Sequence, residues 1–334
     1  MKKILALSFL ITINCIVVSN THAADFGQAL SLAIANVPPG ADVAGMGNAW
    51  VATPEFSSNN PAVMTTDNNF HGGLQATYGR INFKTGLDIN IYSGTVSGKL
   101  PVGVLQVTYS KADSGMGMAD FGLDEGFNPG LKFNSVSSLE IQYGLKAGKD
   151  WLLDGDELYL GLSYEPVSKS KFSFFLQGRE SVVFTSKGYS IGGGFLYKPA
   201  KDWNFGGSYT QSRSKDKQEY LLVEESEEYK SRTDTYRLGV GYQILPMTFL
   251  AADWQYLDID GFKIDQLFAG LEQGIIKDFL YLYGGWASSG PTVGVGAYFE
   301  NSGLNLAYMH RPFKDMEQYL GEANIYMATA YINF

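Results

Sequence analysis

The chain is 334 residues long and acidic, with 25 Lys and Arg against 34 Asp and Glu and a formal net charge of −9. This acidic balance argues against a nucleic-acid-binding protein, because phosphates are bound by clustered cations. The 39 glycines, 21 tyrosines and 21 phenylalanines coexist with a mean hydropathy of only −0.08, so long apolar runs are rare. A soluble β-sandwich can share this composition, so periodicity must decide the fold class.

The first 23 residues have the pattern of a secretory signal peptide. Lys2 and Lys3 precede an apolar run over residues 4–18, and polar residues then lead to Ala23. The apolar run is shorter than the roughly 20 residues that a helix needs to cross a bilayer. We therefore predict export and cleavage after Ala23. Cys15, the single cysteine, lies within this leader, so we expect no disulfide, no thiolate metal site and no cofactor in the mature chain.

Residues 24–69 do not alternate in polarity and so cannot form the wall of a sheet. Small residues, glycine and proline dominate the stretches 37–49 and 57–62. Because this segment lies between an export signal and a predicted barrel, we expect it to fold inside the lumen as a plug. It is called the hatch below.

From about residue 70 to the end, segments of ten to fourteen residues alternate apolar with small or polar side chains. In one segment Tyr236, Leu238 and Val240 fall on one face of a strand, while Arg237 and Gly239 fall on the other. Such strands are longer than the usual five or six residues of soluble sheets and match the roughly 9–11 that cross a bilayer when tilted. The predicted strands cover residues 70–83, 86–98, 102–112, 134–147, 156–167, 187–198, 202–213, 234–244, 246–258, 264–273, 277–287, 290–299, 302–312 and 322–334.

The connections between these strands support the count. If the first strand runs outward, the long connections over residues 113–133, 168–186 and 214–233 all lie on the outer side, as in bacterial barrels. The last strand ends in Phe334, which resembles the C-terminal signal read by the barrel-insertion machinery. We therefore predict an all-β protein, a transmembrane antiparallel β-barrel of about 14 strands over residues 70–334, in the outer membrane of a Gram-negative bacterium. The alternative is a soluble two-layer sheet with its apolar face buried.

Two short motifs in the hatch resemble the FadL/TodX family of outer-membrane channels. Residues 44–49 read A-G-M-G-N-A, with Gly45 and Gly47, and Asn60 and Pro61 begin an N-P-A sequence. The chain departs from the family by lacking an aspartate pair between the motifs, at residues 53–56. The resemblance implies a monomeric barrel whose lumen is blocked by the hatch. It also implies passive uptake of long-chain fatty acids or hydrocarbons, which leave sideways into a membrane of lipid and lipopolysaccharide.

Apolar residues in two predicted outer loops suggest an entry surface for hydrophobic molecules. The first loop contributes Met116, Met118, Phe121, Phe127, Leu131 and Phe133, and the second contributes Phe174 and Phe175. The alternative is that these residues pack the loops together as a lid. Arg237 faces the lumen and is expected either to bind a substrate carboxylate or to form a salt bridge with the hatch. Glycines such as Gly284 and Gly285 would permit a strand kink or close packing against the hatch.

Other functions are possible but have weaker support. After removal of the leader only His71 and His310 remain, and neither lies in a G-x-S-x-G or H-E-x-x-H motif, so we predict no enzyme. A lipid hydrolase would place a base such as His310 beside a serine. A third possibility is an outer-membrane scaffold or shuttle protein in secretion or assembly. The acidic stretch around Glu224 and Glu225 lacks the residue order of a calcium loop, so a solvated charge run is the better interpretation.

Overall fold

The computed structural model describes residues 37–53, 60–65, 71–118, 130–147, 155–176, 178–200, 202–221, 224–288, 290–313 and 317–334. The predicted leader and the phenylalanines Phe121 and Phe127 lie outside these residues. Two short helices, α1 (Ala41–Gly45) and α2 (Glu317–Leu320), and a 3-10 helix (Val63–Thr65) are present. In the described ranges no helix combines the length and apolar character needed to cross a membrane.

The strands follow the predicted order along the chain. They are β1 (Gly72–Phe83), β2 (Asp88–Lys99), β3 (Val104–Ser114), β4 (Met116–Met118), β5 (Gly130–Lys146), β6 (Glu157–Leu176), β7 (Arg179–Ala200), β8 (Trp203–Tyr220), β9 (Glu225–Leu245), β10 (Thr248–Ile259), β11 (Phe262–Ile276), β12 (Leu280–Ala287), β13 (Gly290–Phe299), β14 (Ser302–His310) and β15 (Ala323–Asn333). All but the three-residue β4 correspond to a predicted strand.

The sheet closes on itself. Sequence neighbours pair antiparallel, β3 pairs with β5, and β1 pairs with β15 from Gly73↔Asn333 to Phe83↔Ala323. Fourteen strands of the described chain therefore form one barrel, and β4 adds to β5 beyond the end of the β3–β5 pairing. Closure leaves no free edge and satisfies the backbone hydrogen bonds of the wall, as a lipid environment requires. The predicted barrel is confirmed.

Alternation along the strands separates two faces. Outward residues such as Leu162, Leu267 and Val293 are 67%, 69% and 56% exposed. Aromatic pairs lie near both ends of this apolar band. Outer-end pairs are Tyr78–Tyr92, Tyr209–Tyr236 and Tyr308–Tyr326, and inner-end pairs are Trp203–Tyr242 and Phe279–Phe299, with centroids 4.3–5.4 Å apart. An apolar band between aromatic girdles on a closed barrel is the surface of a bacterial outer-membrane protein.

Four neighbouring strands rise well above the rest at the outer end. β6, β7, β8 and β9 contain 20, 22, 18 and 21 residues, whereas β12 to β15 contain 8 to 11. The predicted outer loops 168–186 and 214–233 are therefore wrong: most of these residues continue the strands. Outside lipid both faces of a sheet can be polar, so the apolar alternation stops while backbone pairing goes on. We call this extension the tall wall.

Candidate functional site

The described part of the hatch lies inside the inner half of the barrel. Every residue of α1 is buried. The Ala41 N–H donates to Thr329 Oγ1 on β15 (2.9 Å), and Thr292 Oγ1 on β13 donates to the Gly45 carbonyl (2.7 Å). On the opposite side of the lumen, Met64 of the 3-10 helix packs with Val104 of β3. The hatch thus spans the lumen from wall to wall.

A buried ion pair anchors the centre of the hatch. Arg237 on β9 and Asp253 on β10 are almost fully buried, and Arg237 Nε donates to Asp253 Oδ2 at 2.9 Å. The same carboxylate oxygen accepts the backbone N–H groups of Trp50 and Val51 at 2.8 and 2.9 Å. Two barrel strands and two hatch residues therefore meet at one oxygen.

The remaining nitrogens of the Arg237 guanidinium are also occupied. Nη1 donates to Gln255 Oε1 at 3.0 Å, and Nη2 donates to the Asn48 carbonyl of the hatch. The guanidinium carbon lies 4.3 Å from the Trp50 ring centroid and 4.4 Å from that of Phe268, so two aromatic faces enclose the cation. Arg237 thus contacts the hatch through the Asn48 carbonyl and the Trp50 ring, whereas its salt bridge is with Asp253 of the barrel wall and not with a hatch residue as predicted.

The glycine and Asn-Pro motifs fit the hatch against the wall. Gly47 has φ +68°, and a Cβ there would strike the backbone of Trp286. A Cβ on Gly45 would lie 2.8 Å from the Tyr283 Cβ. Asn60 Nδ2 donates to the carbonyls of Val51 (2.8 Å) and Phe195 (3.0 Å), and Oδ1 accepts the Ala62 N–H (3.1 Å). These residues are structural, since each permits or makes a backbone contact.

The barrel wall also has glycines where it contacts the hatch. At several inward positions a Cβ would meet the hatch backbone or the Asn60 side chain. These positions include Gly161, Gly194, Gly206, Gly270 and Gly285. At Gly285 the nearest atom would be the Gly47 nitrogen at 2.5 Å. Barrel and hatch therefore touch main chain to main chain, which only glycine allows.

Above the hatch lies a cavity of about 400 Å³. Its outer part is apolar, with Ile81, Phe83, Ile89, Phe133 and Phe313 in the lining. Its inner part is lined by hydroxyl and amide side chains, including Thr77, Thr95, Gln106, Ser163 and Thr210, and by Trp50 of the hatch. A molecule entering from outside thus meets hydrocarbon first and polar groups afterwards.

A cluster of apolar side chains, called the cap below, lies at the outer end of the cavity, which stays partly open. Phe172 stacks on Phe184 (centroids 4.6 Å apart, 10° between planes), and Phe133 and Phe174 pack beside them at 6.1 Å from Phe172. On the other side, Phe83 stacks on Phe313 at 6.4 Å. The buried side chains Leu87, Leu131 and Leu320 complete the cap.

Ion pairs fasten the β14–β15 connection of the cap to the barrel rim. Lys84 Nζ lies 2.6 Å from Glu322 Oε2, Arg311 Nη1 lies 3.6 Å from Glu322 Oε1, and Arg311 Nη2 lies 2.6 Å from Glu317 Oε2. The hydrogen bond from Lys84, with the nearby charges of Lys84, Arg311 and His310, lowers the pKa of Glu322 below its ordinary value near 4.5. Stabilisation by this pair is complete above that ordinary value and disappears as the pH falls through the lowered pKa.

We therefore expect acid to loosen the cap. The hydrogen-exchange protection factors of peptides covering residues 311–322, which allow for the pH dependence of intrinsic amide exchange, should fall as Glu322 becomes protonated, while the barrel strands keep their protection. Glu322→Gln should exchange faster at neutral pH and lose the acid dependence. An unchanged acid dependence in Glu322→Gln would show that another group controls the cap.

The structure distributes the predicted substrate residues over three places. Leu131, Phe133 and Phe174 are buried in the cap, while Phe175 is half-buried and pairs with Gly130. Met116 and Met118 on β4 remain 55% and 49% exposed at the rim. Arg237 lies beside the hatch. The two predicted outer loops are thus neighbours through β5–β6 pairing, as a lid requires, although most of their described residues are strand.

Sequence reasoning missed Trp50 and did not single out Glu165. Trp50 is an isolated aromatic in a glycine-rich stretch, and nothing in the sequence shows that it covers Arg237. Glu165 lines the cavity beside Glu140 and accepts a hydrogen bond from Ser190 Oγ at 2.7 Å. Its position at a strand irregularity, where β5 and β6 shift register, is invisible in alternation.

His310 does not have the surroundings of a catalytic base. Its Nδ1 lies 3.0 Å from Asn324 Oδ1 and 3.4 Å from the Tyr308 hydroxyl, and its ring stacks on Tyr308. Both contacts are made at Nδ1, so an amide and a phenol occupy the position where a hydrolase triad would hold its carboxylate.

The fold and the site together define a bacterial outer-membrane barrel that encloses a hatch and, above it, an apolar-capped cavity. No protein-family model and no curated protein matches the sequence. Solved structures do match by fold. The toluene transporter TodX of Pseudomonas putida aligns with a TM-score of 0.55 and 12% identity, covering 88% of this chain and 98% of its own.

A FadL homologue from Pseudomonas aeruginosa aligns with a TM-score of 0.60 and 11% identity, covering 89% of this chain and 99% of its own. A TodX variant described as a monoaromatic hydrocarbon channel gives a TM-score of 0.54 and 13% identity, with coverage of 88% and 97%. The predicted resemblance to FadL/TodX proteins is thus confirmed as a shared fold over most of the chain.

Proposed function

We propose that this protein is a passive outer-membrane channel for small hydrophobic molecules. The observation that carries the proposal is the cavity of about 400 Å³ between the hatch and the apolar cap, because its volume suits a small ligand. Lipopolysaccharide makes the outer leaflet a poor solvent for hydrocarbon, so such molecules need a protected path. The names of the fold relatives, a toluene transporter and a FadL homologue, agree with this use.

The lumenal charges favour uncharged substrates over fatty-acid anions. Arg237 donates to protein acceptors from Nε, Nη1 and Nη2, and its ion pair with Asp253 already balances its charge. Glu140 and Glu165 line the cavity, and among the described residues neither forms an ion pair with a basic side chain. Lys111, at the cavity margin, is paired with Asp113 at 3.3 Å. A carboxylate entering this cavity would meet other carboxyl groups, and the basic side chains of the described lining, Lys111 and Arg237, are already paired; a hydrocarbon needs no such partner.

In this proposal the cap residues Phe133 and Phe174, with Leu131 behind them, receive the substrate, and Met116 and Met118 guide it at the rim. Passage then requires a local rearrangement of the hatch, and the Arg237–Asp253 pair sets how far the hatch can move. Arg237 acts on the gate and does not bind substrate.

Filling the cavity should block uptake. Val136 on β5 lines the cavity, and Val107 on the adjacent β3 faces lipid with 37% exposure. We expect Val136→Trp to reduce uptake of radiolabelled toluene at least about tenfold, since an indole added to the lining takes up part of the cavity and narrows the path through it. The matched Val107→Trp should transport normally. The assay uses Gram-negative cells that lack their own hydrophobic-compound channel, with outer-membrane levels of each variant measured in parallel.

The same assay with oleate tests the charge preference. Toluene uptake that exceeds oleate uptake supports the uncharged class, and equal blocking of both by Val136→Trp shows a common path. Normal toluene uptake by a correctly inserted Val136→Trp would overturn the channel proposal. If a co-purifying protein at fixed ratio were then found, the scaffold alternative would take its place.

A further inference from the structure

A row of lysines crosses the lipid side of the tall wall. The strand register places Lys169 opposite Lys187, Lys187 opposite Lys215, and Lys215 opposite Lys230. Residues directly opposite in adjacent strands share one face and have Cβ atoms about 5 Å apart. Four ammonium groups thus stand side by side on β6, β7, β8 and β9, and we call them the lysine row.

More cations flank this row on the same face. Arg213 and Arg232 face each other one step nearer the membrane, and Lys171 and Lys217 lie one step farther out. The outward acids near these residues are Glu219, Glu228 and Asp234, with Asp258 opposite Asp234 and Asp260 beside Arg232 at the β10–β11 turn. A protein with a net charge of −9 therefore concentrates positive charge on one patch of its outer surface.

The protein itself neutralises only part of this charge. Lys215 pairs with Glu228 at 2.8 Å, and Arg232 pairs with Asp234 at 2.7 Å. For Lys169, Lys187 and Lys230 no carboxylate lies within ion-pair distance in the described part of the chain. Like charges directly opposite each other destabilise a sheet. An anion above the row would remove this repulsion.

The height of the row identifies where that anion comes from. Arg213 and Lys215 lie ten and twelve residues beyond Trp203 of the inner aromatic girdle on the same strand. At about 3.3 Å per residue and a tilt of about 40°, they stand about 25 and 30 Å above that inner girdle. The apolar band of an outer-membrane barrel is about 25 Å tall, so this level is just outside the hydrocarbon, in the layer of lipid headgroups and their phosphates.

We propose that the lysine row, with Arg213 and Arg232, binds the phosphate groups of a lipopolysaccharide molecule in the outer leaflet. Charge complementarity carries the assignment, because phosphate is the anion available at this level and is bound by clustered Lys and Arg. The acyl chains of that lipid would lie along the apolar band below, between the cations and Leu162, Ile191 and Leu238. This site is separate from the lumenal cavity and does not depend on what the channel transports.

The test measures lipid A binding to the full-length barrel in maltoside detergent by native mass spectrometry. Three probes are compared: lipid A with its phosphates, the same lipid after enzymatic dephosphorylation, and inorganic phosphate alone. The variant Lys169→Gln/Lys187→Gln/Lys230→Gln removes the three unpaired lysines. Its matched control is Lys99→Gln/Lys263→Gln/Lys277→Gln, which removes three lysines outside the tall wall.

We expect about one phosphorylated lipid A molecule to bind per wild-type barrel. Binding to the lysine-row variant should be roughly 100-fold weaker, because each lysine contributes about 1 kcal/mol and each 1.4 kcal/mol changes the affinity about tenfold. The control variant and the charge-conserving Lys→Arg triple should bind as the wild type does. Equal binding of dephosphorylated lipid A, displacement by millimolar phosphate alone, or undiminished binding by a folded lysine-row variant would each overturn the proposal. Heat-modifiable gel mobility confirms that each variant is a closed barrel.

Discussion

Asp253→Ala is expected to destabilise the barrel by about 3–5 kcal/mol and to release the hatch. Removing one member of a buried ion pair leaves the other charge uncompensated in a site that water does not reach. Here Arg237 is 2% exposed, and the lost carboxylate also held the backbone N–H groups of Trp50 and Val51. The measurements are the free energy of unfolding in urea and single-channel conductance in planar lipid bilayers, where a loosened hatch should give larger and noisier openings.

A surface pair of the same chemistry serves as the control. Arg80 and Asp88 lie 2.5 Å apart but are 48% and 37% exposed, so Asp88→Ala should cost no more than about 1 kcal/mol and leave conductance unchanged. The double variant Arg237→Met/Asp253→Ala separates the two roles of the carboxylate. It should recover much of the stability while the hatch stays loose, because the N–H groups of residues 50 and 51 remain without their acceptor. Wild-type conductance in Asp253→Ala would show that the hatch is held elsewhere.

Gly285→Val is expected to displace the hatch, with a loss of at least about 3 kcal/mol. A side chain at this position would lie 2.5 Å from the Gly47 nitrogen and 2.6 Å from the Ala269 carbonyl oxygen. Main-chain atoms cannot move aside as a flexible side chain can, so the cost should equal or exceed the upper end for an overpacked core. Conductance and urea unfolding again provide the measurements.

The neighbouring glycine offers a matched control on the same strand. Gly284 faces outward, and a Cβ there would meet nothing within 4 Å. Gly284→Val should therefore fold and conduct as the wild type does, and the added β-branched residue suits a strand. If Gly284→Val and Gly285→Val lost stability equally, the loss would reflect the replacement of any glycine in β12 and not the contact between Gly285 and the hatch.

The barrel could be predicted from the sequence because lipid imposes a simple rule on its wall. Outward residues must be apolar wherever the strand crosses hydrocarbon, so alternation marks strands such as Thr248–Ile259 clearly. This rule does not apply to strand residues that lie beyond the hydrocarbon layer. The polar run from Ser168 to Lys171 continues β6 without an apolar face, so its strand conformation is determined by backbone pairing with β5 and β7 and leaves no trace in hydropathy.

The candidate site was only partly predictable, because its residues are far apart in the chain. The inward direction of Arg237 follows from alternation, but its partners Asn48, Asp253 and Gln255 come from two other segments. The cap phenylalanines were visible as apolar residues in a polar context. These side chains are buried against one another because β5 and β6 pair at Phe133 and Phe172. The prediction placed both residues in loops and so did not include this pairing.

The contact at Thr329 has a consequence for assembly. Thr329 and Thr77 are partners across the β1–β15 seam, with their hydroxyls 3.0 Å apart, and Thr329 also holds the first N–H of α1. Helix α1 packs on the C-terminal strands β12–β15, and only 26 residues separate its end from the start of β1. Docking α1 therefore tethers the first strand beside the last and shortens the loop that seam closure must order. Because the entropy cost of closing a loop depends on its length, this lowers the free-energy barrier to barrel closure by about 2 kcal/mol. The hatch, which blocks the finished pore, is thus also an internal template for closing the barrel.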